Sequence, residues 1–315
     1  MSTEPSLQDE AARAGWLYYV AGMTQDQIAA ELGVSRQRAQ RLVSRAMAEG
    51  LIQIRLVHRI GACLDLERAL TERYRLTRCR VAPGLGPGGD PARAIATAAA
   101  AELERVLRID TPQVIAFGTG RALRAMAEQL TRTDPGQHRI VSLLGNIAPD
   151  GSATLYDVIS RIAEKLNATY YPMPVPVISD TPEEREFFMH LRPVRTVFNL
   201  ARQADITFVG VGQMGPDAPL ALDGFVTPDA LRELQELGAA GEICSWVYDA
   251  QGRYIDTPRN ALVGGVRVEP GQSKPVIAVA AGSAKVMAIR AALTGRIVNG
   301  LVTDEPTATA LLAAS

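Results

Sequence analysis

Residues 36–47, RQRAQRLVSRAM, carry the side chains that are best suited to contact a nucleic acid, with four arginines, two glutamines and no acidic residue. Arginine pairs bidentately with guanine and glutamine with adenine, and arginine also neutralises phosphate. An ordinary helical hairpin with a solvated basic face is the alternative, because short patterns of this kind arise by chance. The candidate DNA-binding residues, including two that we expect to cap helices, are Thr24, Ser35, Arg36, Gln37, Arg38, Gln40, Arg41, Ser44 and Arg45.

A helix-turn-helix predicted for residues 23–47 would position these side chains. Thr24 and Gln27 have the spacing of a capping box at the start of a helix. Gly33 suits the left-handed backbone that ends a helix, and Ser35 suits the N-cap of the next one. The positions that this pattern buries on the second helix are Ala39, Leu42 and Val43.

Two flanking segments extend this unit. Residues 7–21 have helical spacing and predict a first helix, in which Trp16, Tyr18 and Tyr19 fit packing in the core and between domains better than a platform for stacked bases. Residues 51–57, LIQIRLV, alternate imperfectly and predict a short strand. That strand is either a wing with Arg55 near the DNA backbone or simply an exposed charged strand.

A second set of candidate residues follows short apolar stretches further along the chain. FGTGR at 117–121 predicts a strand, a glycine loop and a helix start. Gly118 and Gly120 would let backbone N–H groups approach an anion, Thr119 offers a hydroxyl, and Arg121 adds charge. The loop has neither the Walker nor the GxGxxG spacing, so nucleotide binding is not indicated, and a plain turn remains an equal alternative to phosphate binding.

Three further stretches end in the same way. In AAGSAK at 280–285, Ser283 is expected to cap a helix and Lys285 to lie in its first turn, where it meets either a ligand anion or solvent. Glu242 lies at a predicted loop-to-strand junction. It would either accept hydrogen bonds from sugar hydroxyls or be an ordinary surface acid. Gln213, in the loop GVGQMG, offers both a donor and an acceptor.

Alternating short apolar strands and helices must position these loops. This alternation, from residue 78 to the end, predicts an α/β domain with a parallel sheet covered on both faces. In such sheets ligands bind beyond the carboxyl ends of the strands, where all four loops would lie. The strands are predicted at 78–82, 114–117, 140–144, 170–177, 206–211, 246–248, 276–281 and 300–303, with a single helix at 183–201.

Composition limits the remaining possibilities. At 315 residues with 47% hydrophobic and 21% charged, the chain has room for one small and one large domain and is not globally disordered. The net charge of −1 leaves any attraction to nucleic acid local. Three dispersed cysteines and three isolated histidines predict neither a disulfide framework nor a metal site. We expect no signal peptide, no membrane span and a cytoplasmic location.

Taken together, these segments resemble the SorC/DeoR-type sugar-binding transcriptional regulators of bacteria. The resemblance covers nearly the whole chain and is carried by YYVAGMTQDQIAAELGVSRQRAQRLVSRAMAEGLIQIRL, the GTGR loop, ADITFVGVGQMG, AAGEICSWVYDAQGR and VIAVAAGSAKVMAIRAALTGRIVNGLVTDEPTA. It implies an effector domain that is similar to the glucosamine-6-phosphate deaminase and ribose-5-phosphate isomerase superfamily. In such regulators this domain binds a sugar, commonly a phosphorylated one, without turning it over.

The resemblance also implies roles for particular residues. Residues 118–121 match the anion loop, Asn146 and Thr154 lie in the segment that closes the pocket, Glu242 matches the acid that meets hydroxyls, and Lys285 matches the far basic residue. Two departures, Ala122 in place of a common threonine and a single glycine in AAGSAK, weaken the case for a bisphosphate and favour a free sugar or polyol.

These observations predict a small winged helix-turn-helix domain at residues 1–57 and a Rossmann-like α/β effector domain at residues 58–315. The expected function is a DNA-binding transcriptional regulator of a carbohydrate or polyol operon. Its partners would be double-stranded operator DNA, a sugar, sugar phosphate or polyol effector, and further copies of the chain as a homodimer or homotetramer. No cofactor, metal or catalytic residue is expected. The alternative is an active sugar-phosphate isomerase or deaminase, with Glu242 and Lys285 as acid–base groups.

Overall fold

The computed structural model of the chain describes residues 6–52, 60–131, 137–148, 150–152 and 158–313. The chain divides into two units, residues 1–58 and residues 59–315. Most of the predicted wing strand, residues 53–57, lies outside the described residues, and so does Thr154.

The first unit is a bundle of three helices, α1 (Leu7–Tyr19), α2 (Gln25–Leu32) and α3 (Arg36–Ala48). The helix ends of this unit are stabilised by the residues that the sequence predicts as caps. Thr24 accepts a hydrogen bond from the Gln27 N–H, and the Gln27 side chain accepts one from the Thr24 N–H. Gly33 ends α2 with φ 64°, and Ser35 caps α3 by accepting from the Arg38 N–H. The predicted helix-turn-helix is confirmed.

Small side chains let α1 and α3 approach closely, because Gly15 leaves no room for a methyl group between itself, Ala46 and Ile52. The prediction that the aromatic residues of α1 pack in the core is wrong. Trp16 is 56% exposed, and Tyr18 and Tyr19 are each 38% exposed. The buried face of α1 is formed by Ala11, Ala14 and Leu17. The three aromatic side chains are not on this face of the helix.

The second unit is built on a seven-stranded parallel sheet with the order β1-β10-β9-β5-β2-β3-β4. Its strands are β1 (Arg78–Ala82), β2 (Val114–Phe117), β3 (Arg139–Ile147), β4 (Tyr170–Pro176), β5 (Ile206–Val209), β9 (Val276–Val279) and β10 (Gly300–Asp304). A small antiparallel sheet pairs β6 (Gly212–Gln213), β7 (Ala239–Ile243) and β8 (Trp246–Asp249) in that order. The predicted α/β domain with a parallel sheet is confirmed.

Helices connect the strands. They are α4 (Gly61–Tyr74), α5 (Pro91–Leu107), α6 (Arg121–Gln129), α7 (Val158–Leu166), α8 (Pro182–His190), α9 (Arg192–Arg202), α10 (Pro219–Leu222), α11 (Pro228–Glu236), α12 (Pro258–Leu262), α13 (Val286–Thr294) and α14 (Glu305–Ala313). Successive strand residues face opposite layers. On β2, Val114 and Ala116 pack in the core on one side of the sheet, while Ile115 and Phe117 pack in the core on the other.

Two helix predictions need correction. The predicted helix at 183–201 is two helices, because Leu191 is extended (φ −64°, ψ 131°) and Pro193 lacks the N–H that a continuous helix would use. The helix that Ser283 is expected to cap is α13, which is preceded by a 3₁₀ turn at Ser283–Lys285. Ser283 makes no capping hydrogen bond, because the N–H of Lys285 is satisfied by the Gly282 carbonyl. Lys285 therefore precedes α13.

Within the described ranges no helix is long and apolar enough to cross a membrane. No group of three or more histidine, cysteine, aspartate or glutamate side chains there is arranged to hold a metal ion. Buried His138 has a structural role, because its Nδ1 accepts from the Gln113 N–H at 3.0 Å and its Nε2 lies 3.2 Å from the Leu107 carbonyl.

Asp205 ties the starts of β2 and β5 together and makes the stability of this unit depend on pH. Its carboxylate accepts from the Val114 N–H at 3.0 Å and pairs with Lys274 at 2.9 Å. Burial raises the pKa of Asp205, but the bonds to Val114 and Lys274 outweigh burial and lower it. A lowered folded-state pKa stabilises the protein above the usual aspartate range, and this contribution is lost as the pH falls.

We therefore expect Asp205→Asn to lower the free energy of unfolding by about 1 kcal/mol at neutral pH, since the pair is partly exposed and screened. The difference from the wild type should shrink as the pH falls below about 4. Urea unfolding at several pH values measures both. Asp65→Asn, at an exposed pair with Arg68, is the control. A difference that stays constant with pH would contradict this role of Asp205.

Candidate functional site

The outer face of α3 presents its polar side chains to solvent, while Ala39, Leu42, Val43 and Ala46 pack inward. All nine residues expected to serve DNA binding are exposed. Thr24 and Ser35 use their hydroxyls as helix caps, so their part is to fix the two helices. The helix thus offers a row of arginine, glutamine and serine side chains on a rigid support.

Carboxylates from neighbouring segments contact three of the four arginines on α3. Arg36 pairs with Asp26 at 3.4 Å, and Arg38 pairs with Glu10 at 2.8 Å. Arg45 pairs with Glu49 at 2.5 Å. Arg41 has no ion pair with a described residue. The helix itself has no acid, as the sequence shows, but its surface is less purely cationic than the sequence of the helix suggests.

In the second unit a cavity of about 340 Å³ opens at the carboxyl ends of β2 and β5. The crossovers from β2 run toward β3 and β4, whereas β9, β10 and β1 lie on the other side of β5. The cavity therefore occupies the point where the strand order reverses, which is where open α/β sheets bind ligands. Its lining residues are Thr119, Gly120, Arg121, Ala122, Leu144, Ala148, Asp150, Ser152, Gly210, Val211, Gly212, Pro219, Leu220, Asp223, Gly224, Phe225, Glu242, Cys244, Ser245 and Lys285.

The fold brings together five of the nine predicted effector residues in this wall: Thr119, Gly120, Arg121, Glu242 and Lys285. They come from the segment after β2, the segment after β9 and β7, so the topology of the sheet collects side chains that are far apart in sequence. The α6 N-terminus contributes Arg121 and Ala122 to the wall, and a helix N-terminus favours negative charge.

Gly118 does not line the cavity, and the expectation that its N–H approaches an anion is wrong. That N–H donates to the Phe208 carbonyl at 2.8 Å, which continues the sheet by one residue. Gly118 is needed for a different reason. A Cβ at this position would come within 2.9 Å of the Cys244 sulfur.

Two other predicted residues lie outside the lining set. Gln213 is on β6 and is engaged within its own loop, where its Nε2 donates to the Asp217 carbonyl and its Oε1 accepts from the Gly215 N–H. Asn146 is half-buried on β3, where the pairing with β4 shifts register on both sides of Gly145. Asn146 is therefore in an irregular part of β3 and is not among the residues that line the cavity. Thr154 lies outside the described residues.

Glu242 occupies the penultimate position of β7, not a loop junction, and its half-buried side chain lines the cavity. Its Oε2 accepts from the Ser245 N–H at 2.8 Å. Burial raises the pKa of Glu242, and the Ser245 N–H together with the charges of Arg259 and Lys285 opposes this. The carboxylate is therefore a hydrogen-bond acceptor whose charge depends on its cationic neighbours.

Lys285 provides a cation in the same wall. Its ammonium makes no ion pair or hydrogen bond to a described residue. Burial lowers the pKa of Lys285, and the charge of Glu242 opposes that effect. Lys285 is half-buried, and an ammonium that is partly removed from water without a hydrogen-bond acceptor is costly. This group is therefore suited to meet an oxygen of a ligand.

Cys244 and Ser245 form the two-residue turn between β7 and β8 and line the cavity. Both have positive φ, 52° and 67°, as the favoured hairpin turns require. Neither is glycine, so the turn carries a conformational cost that its contacts must offset. The Cys244 thiol is buried, and its pKa is raised by burial, so the thiol is a packing group.

Sequence reasoning missed the acidic residues on the other side of the cavity, Asp150 and Asp223, together with Ser152. Asp223 directly precedes a glycine, Gly224, with φ 76°. A polar residue before such a turn was the one available signal, and many surface turns share it.

Comparison with known proteins identifies the class of protein that this fold and site define. Residues 58–313 match the family model described as “Putative sugar-binding domain”, and residues 7–55 match the “Homeodomain-like domain” model. The chain is thus a transcriptional regulator with a helix-turn-helix unit and a sugar-binding domain. It belongs to the SorC/DeoR-type family of sugar-binding transcriptional regulators.

Individual relatives support this assignment. The chain is 37% identical over 302 residues to the erythritol catabolism regulatory protein EryD of Brucella abortus, covering 96% of each protein. It is 31% identical to the transcriptional regulator LsrR of Klebsiella pneumoniae, covering 97% of this chain and 93% of the relative. The solved structure of the full-length sorbitol operon regulator SorC from Klebsiella pneumoniae matches with a TM-score of 0.71 and 27% identity, covering 97% and 99%. These relatives are regulators, not enzymes.

The close contact between Gly212 and Glu242 yields a test of the site geometry. A Cβ on Gly212 would lie 2.1 Å from Glu242 Oε1, so Gly212→Ala must displace that carboxylate. We expect loss of the bond to Ser245 and a fall of about 1–3 kcal/mol in the free energy of unfolding. Urea unfolding measures it, with Gly61→Ala, where no atom lies within 4 Å, as the control. Equal stability of the two variants would contradict the contact.

Proposed function

We propose that the cavity at the carboxyl ends of β2 and β5 binds a small sugar or polyol and that this effector controls DNA binding by the helix-turn-helix unit. The observation that carries the proposal is the convergence of Glu242, Lys285 and Arg121 on one cavity of about 340 Å³ at the reversal point of the sheet. Such a volume lies at the small end of ligand pockets, which suits a compact effector.

The charges in the wall favour a neutral polyhydroxyl ligand over a bisphosphate. Three acids, Asp150, Asp223 and Glu242, face two bases, Arg121 and Lys285. A highly charged anion would approach three carboxylates, whereas hydroxyl groups can donate to acids and accept from bases. The similarity to EryD, named for erythritol catabolism, points in the same direction. A four-carbon polyol is therefore the first effector to test.

In this proposal the cavity binds its ligand and does not convert it. The α/β unit resembles the glucosamine-6-phosphate deaminase and ribose-5-phosphate isomerase superfamily, and in a regulator such a domain serves as a sensor. The regulator would act in the cytoplasm, where its operator lies. Two copies of α3 must reach half-sites about 34 Å apart, so we propose a homodimer or homotetramer. The wing predicted at residues 51–57 stays a prediction.

Effector binding should stabilise the folded protein. With erythritol at about 100 times its dissociation constant, stabilisation of about 2.7 kcal/mol is expected, which raises the melting temperature by roughly 5 °C. Glu242→Gln and Lys285→Met should each reduce this shift, because each removes one polar partner from the wall. Differential scanning calorimetry with a panel of polyols, free sugars and sugar phosphates measures it. Shifts produced only by sugar phosphates would overturn the preference for a neutral ligand.

DNA affinity should depend most directly on Arg41, the α3 arginine without an ion pair to a described residue. We expect Arg41→Ala to weaken binding about 5- to 150-fold if Arg41 contacts a base, or to reduce the salt slope by about one if it contacts a phosphate. Binding is measured by fluorescence anisotropy at several salt concentrations, on a duplex selected by the wild-type protein from a random library. Arg68→Ala, an exposed arginine of the second unit, is the control. Unchanged affinity and slope for Arg41→Ala would contradict the proposed surface.

A further inference from the structure

Arg259 lies behind the cavity wall, where one hydrogen bond connects it to the turn that holds Glu242. Its Nη1 donates to the Ser245 carbonyl at 2.9 Å. The N–H of the same residue, Ser245, donates to Glu242 Oε2 at 2.8 Å. The guanidinium and the carboxylate therefore hold opposite sides of one backbone residue, and Arg259 is not among the residues that line the cavity.

The helix that carries Arg259 is fixed independently of any ligand. Buried Asn260, the next residue in α12, accepts from the Val247 N–H at 3.0 Å and donates to the Val247 carbonyl at 3.0 Å and the Ile255 carbonyl at 2.7 Å. Thr257 caps α12 by accepting from the Asn260 N–H. These bonds tie α12 to β8, so the position of Arg259 is set by the scaffold.

The rest of the guanidinium is buried without a direct partner. Arg259 Nε and Nη2 are inaccessible to solvent and have no hydrogen-bond partner among the described residues. A buried charge in this condition needs compensation from a nearby opposite charge. The acid whose charge acts on Arg259 is Glu242. Burial lowers the pKa of Arg259 to about 10, and Glu242 opposes this change.

Two cations, Arg259 and Lys285, act on Glu242, and of these two only Lys285 lines the cavity. The charged and titratable groups that act on it or respond to it from the surrounding elements are Arg259, Lys285, Asp223, Cys244, Tyr248 and Tyr254. Burial raises the pKa values of Cys244, Tyr248 and Tyr254, so these three groups are uncharged at neutral pH. Asp223 and Lys285 line the cavity, whereas Arg259 is not among the residues that line it.

We propose that Arg259 is a positioning residue that holds the Cys244–Ser245 turn and whose positive charge favours the ionised form of Glu242, against the effect of burial, as an acceptor for effector hydroxyls. This inference rests on the proposed function, since it assigns Glu242 to the effector. Lys285 can then engage the ligand without leaving Glu242 uncompensated. Arg259 thereby sets the pH range over which the site accepts a hydroxyl donor without touching the ligand.

Two substitutions separate the charge of Arg259 from its hydrogen bond. Arg259→Gln keeps a donor for the Ser245 carbonyl and removes the charge, whereas Arg259→Lys keeps the charge. In full-length, ligand-free protein labelled with ¹³C at the glutamate carboxyl carbons, NMR follows the titration of Glu242, whose signal is assigned by its loss in Glu242→Gln. We expect the midpoint to move to higher pH in Arg259→Gln and to stay near the wild-type value in Arg259→Lys.

The opposite results overturn the proposal. An unchanged midpoint in Arg259→Gln, or equal upward shifts in both variants, would show that the charge of Arg259 does not hold Glu242 ionised. If Arg259→Gln fails to fold, Arg259→Met takes its place, because methionine also removes the charge and keeps an unbranched side chain. A midpoint higher in Arg259→Met than in Arg259→Lys supports the proposal, and equal midpoints in these two variants overturn it.

Calorimetric titration with erythritol adds a second readout. In Arg259→Gln the affinity should fall roughly tenfold as the pH is lowered, and the fall should begin at higher pH than in the wild type, because a hydrogen bond to a charged acceptor is lost. A pH profile identical to that of the wild type would contradict the role. If the wild type does not bind erythritol at any pH, the proposed effector class fails, while the NMR titration still decides the role of Arg259.

Discussion

The reversal of strand order between β2 and β5 is the constraint on which the rest of the second unit depends. Chain connections leave these neighbouring strands in opposite directions across the sheet, so no crossover covers their carboxyl ends. The loops that follow β2 and β5 must therefore line the gap between these strand ends. Glycines occupy the loop positions where a side chain cannot fit. At Gly210 a Cβ would lie 2.6 Å from the Thr119 carbonyl oxygen, so the two loops meet through backbone alone.

Into this gap the small sheet inserts a hairpin whose tip carries the acid. The register of β7 with β6 places Glu242 opposite Gly212, and the two-residue turn that follows folds back so that its own N–H caps the carboxylate. Burial, the turn and two cations thus act on one group.

The sequence was most informative where a local rule decides the outcome. Thr24, Gly33 and Ser35 each satisfy a helix end with their own chemistry, and short apolar runs between helices have few alternatives to a buried parallel sheet. Glu242 and Lys285 were placed by resemblance, and the structure brings them together. The failures depend on contacts distant in sequence. The N–H of Gly118 is engaged by Phe208, Asn146 follows a register shift, and Arg259 matters only because the fold places α12 behind β7.

The acids beside α3 mean that the protein carries its own competitor for the duplex. Asp26, Glu10 and Glu49 occupy three arginine side chains much as phosphates would. Any stretch of DNA must displace them, and only a sequence that adds contacts to base edges repays that exchange fully. On the proposed DNA-binding surface, random DNA should therefore dissociate faster than a matched sequence. We expect these carboxylates to raise selectivity by weakening the wrong complexes rather than by strengthening the right one.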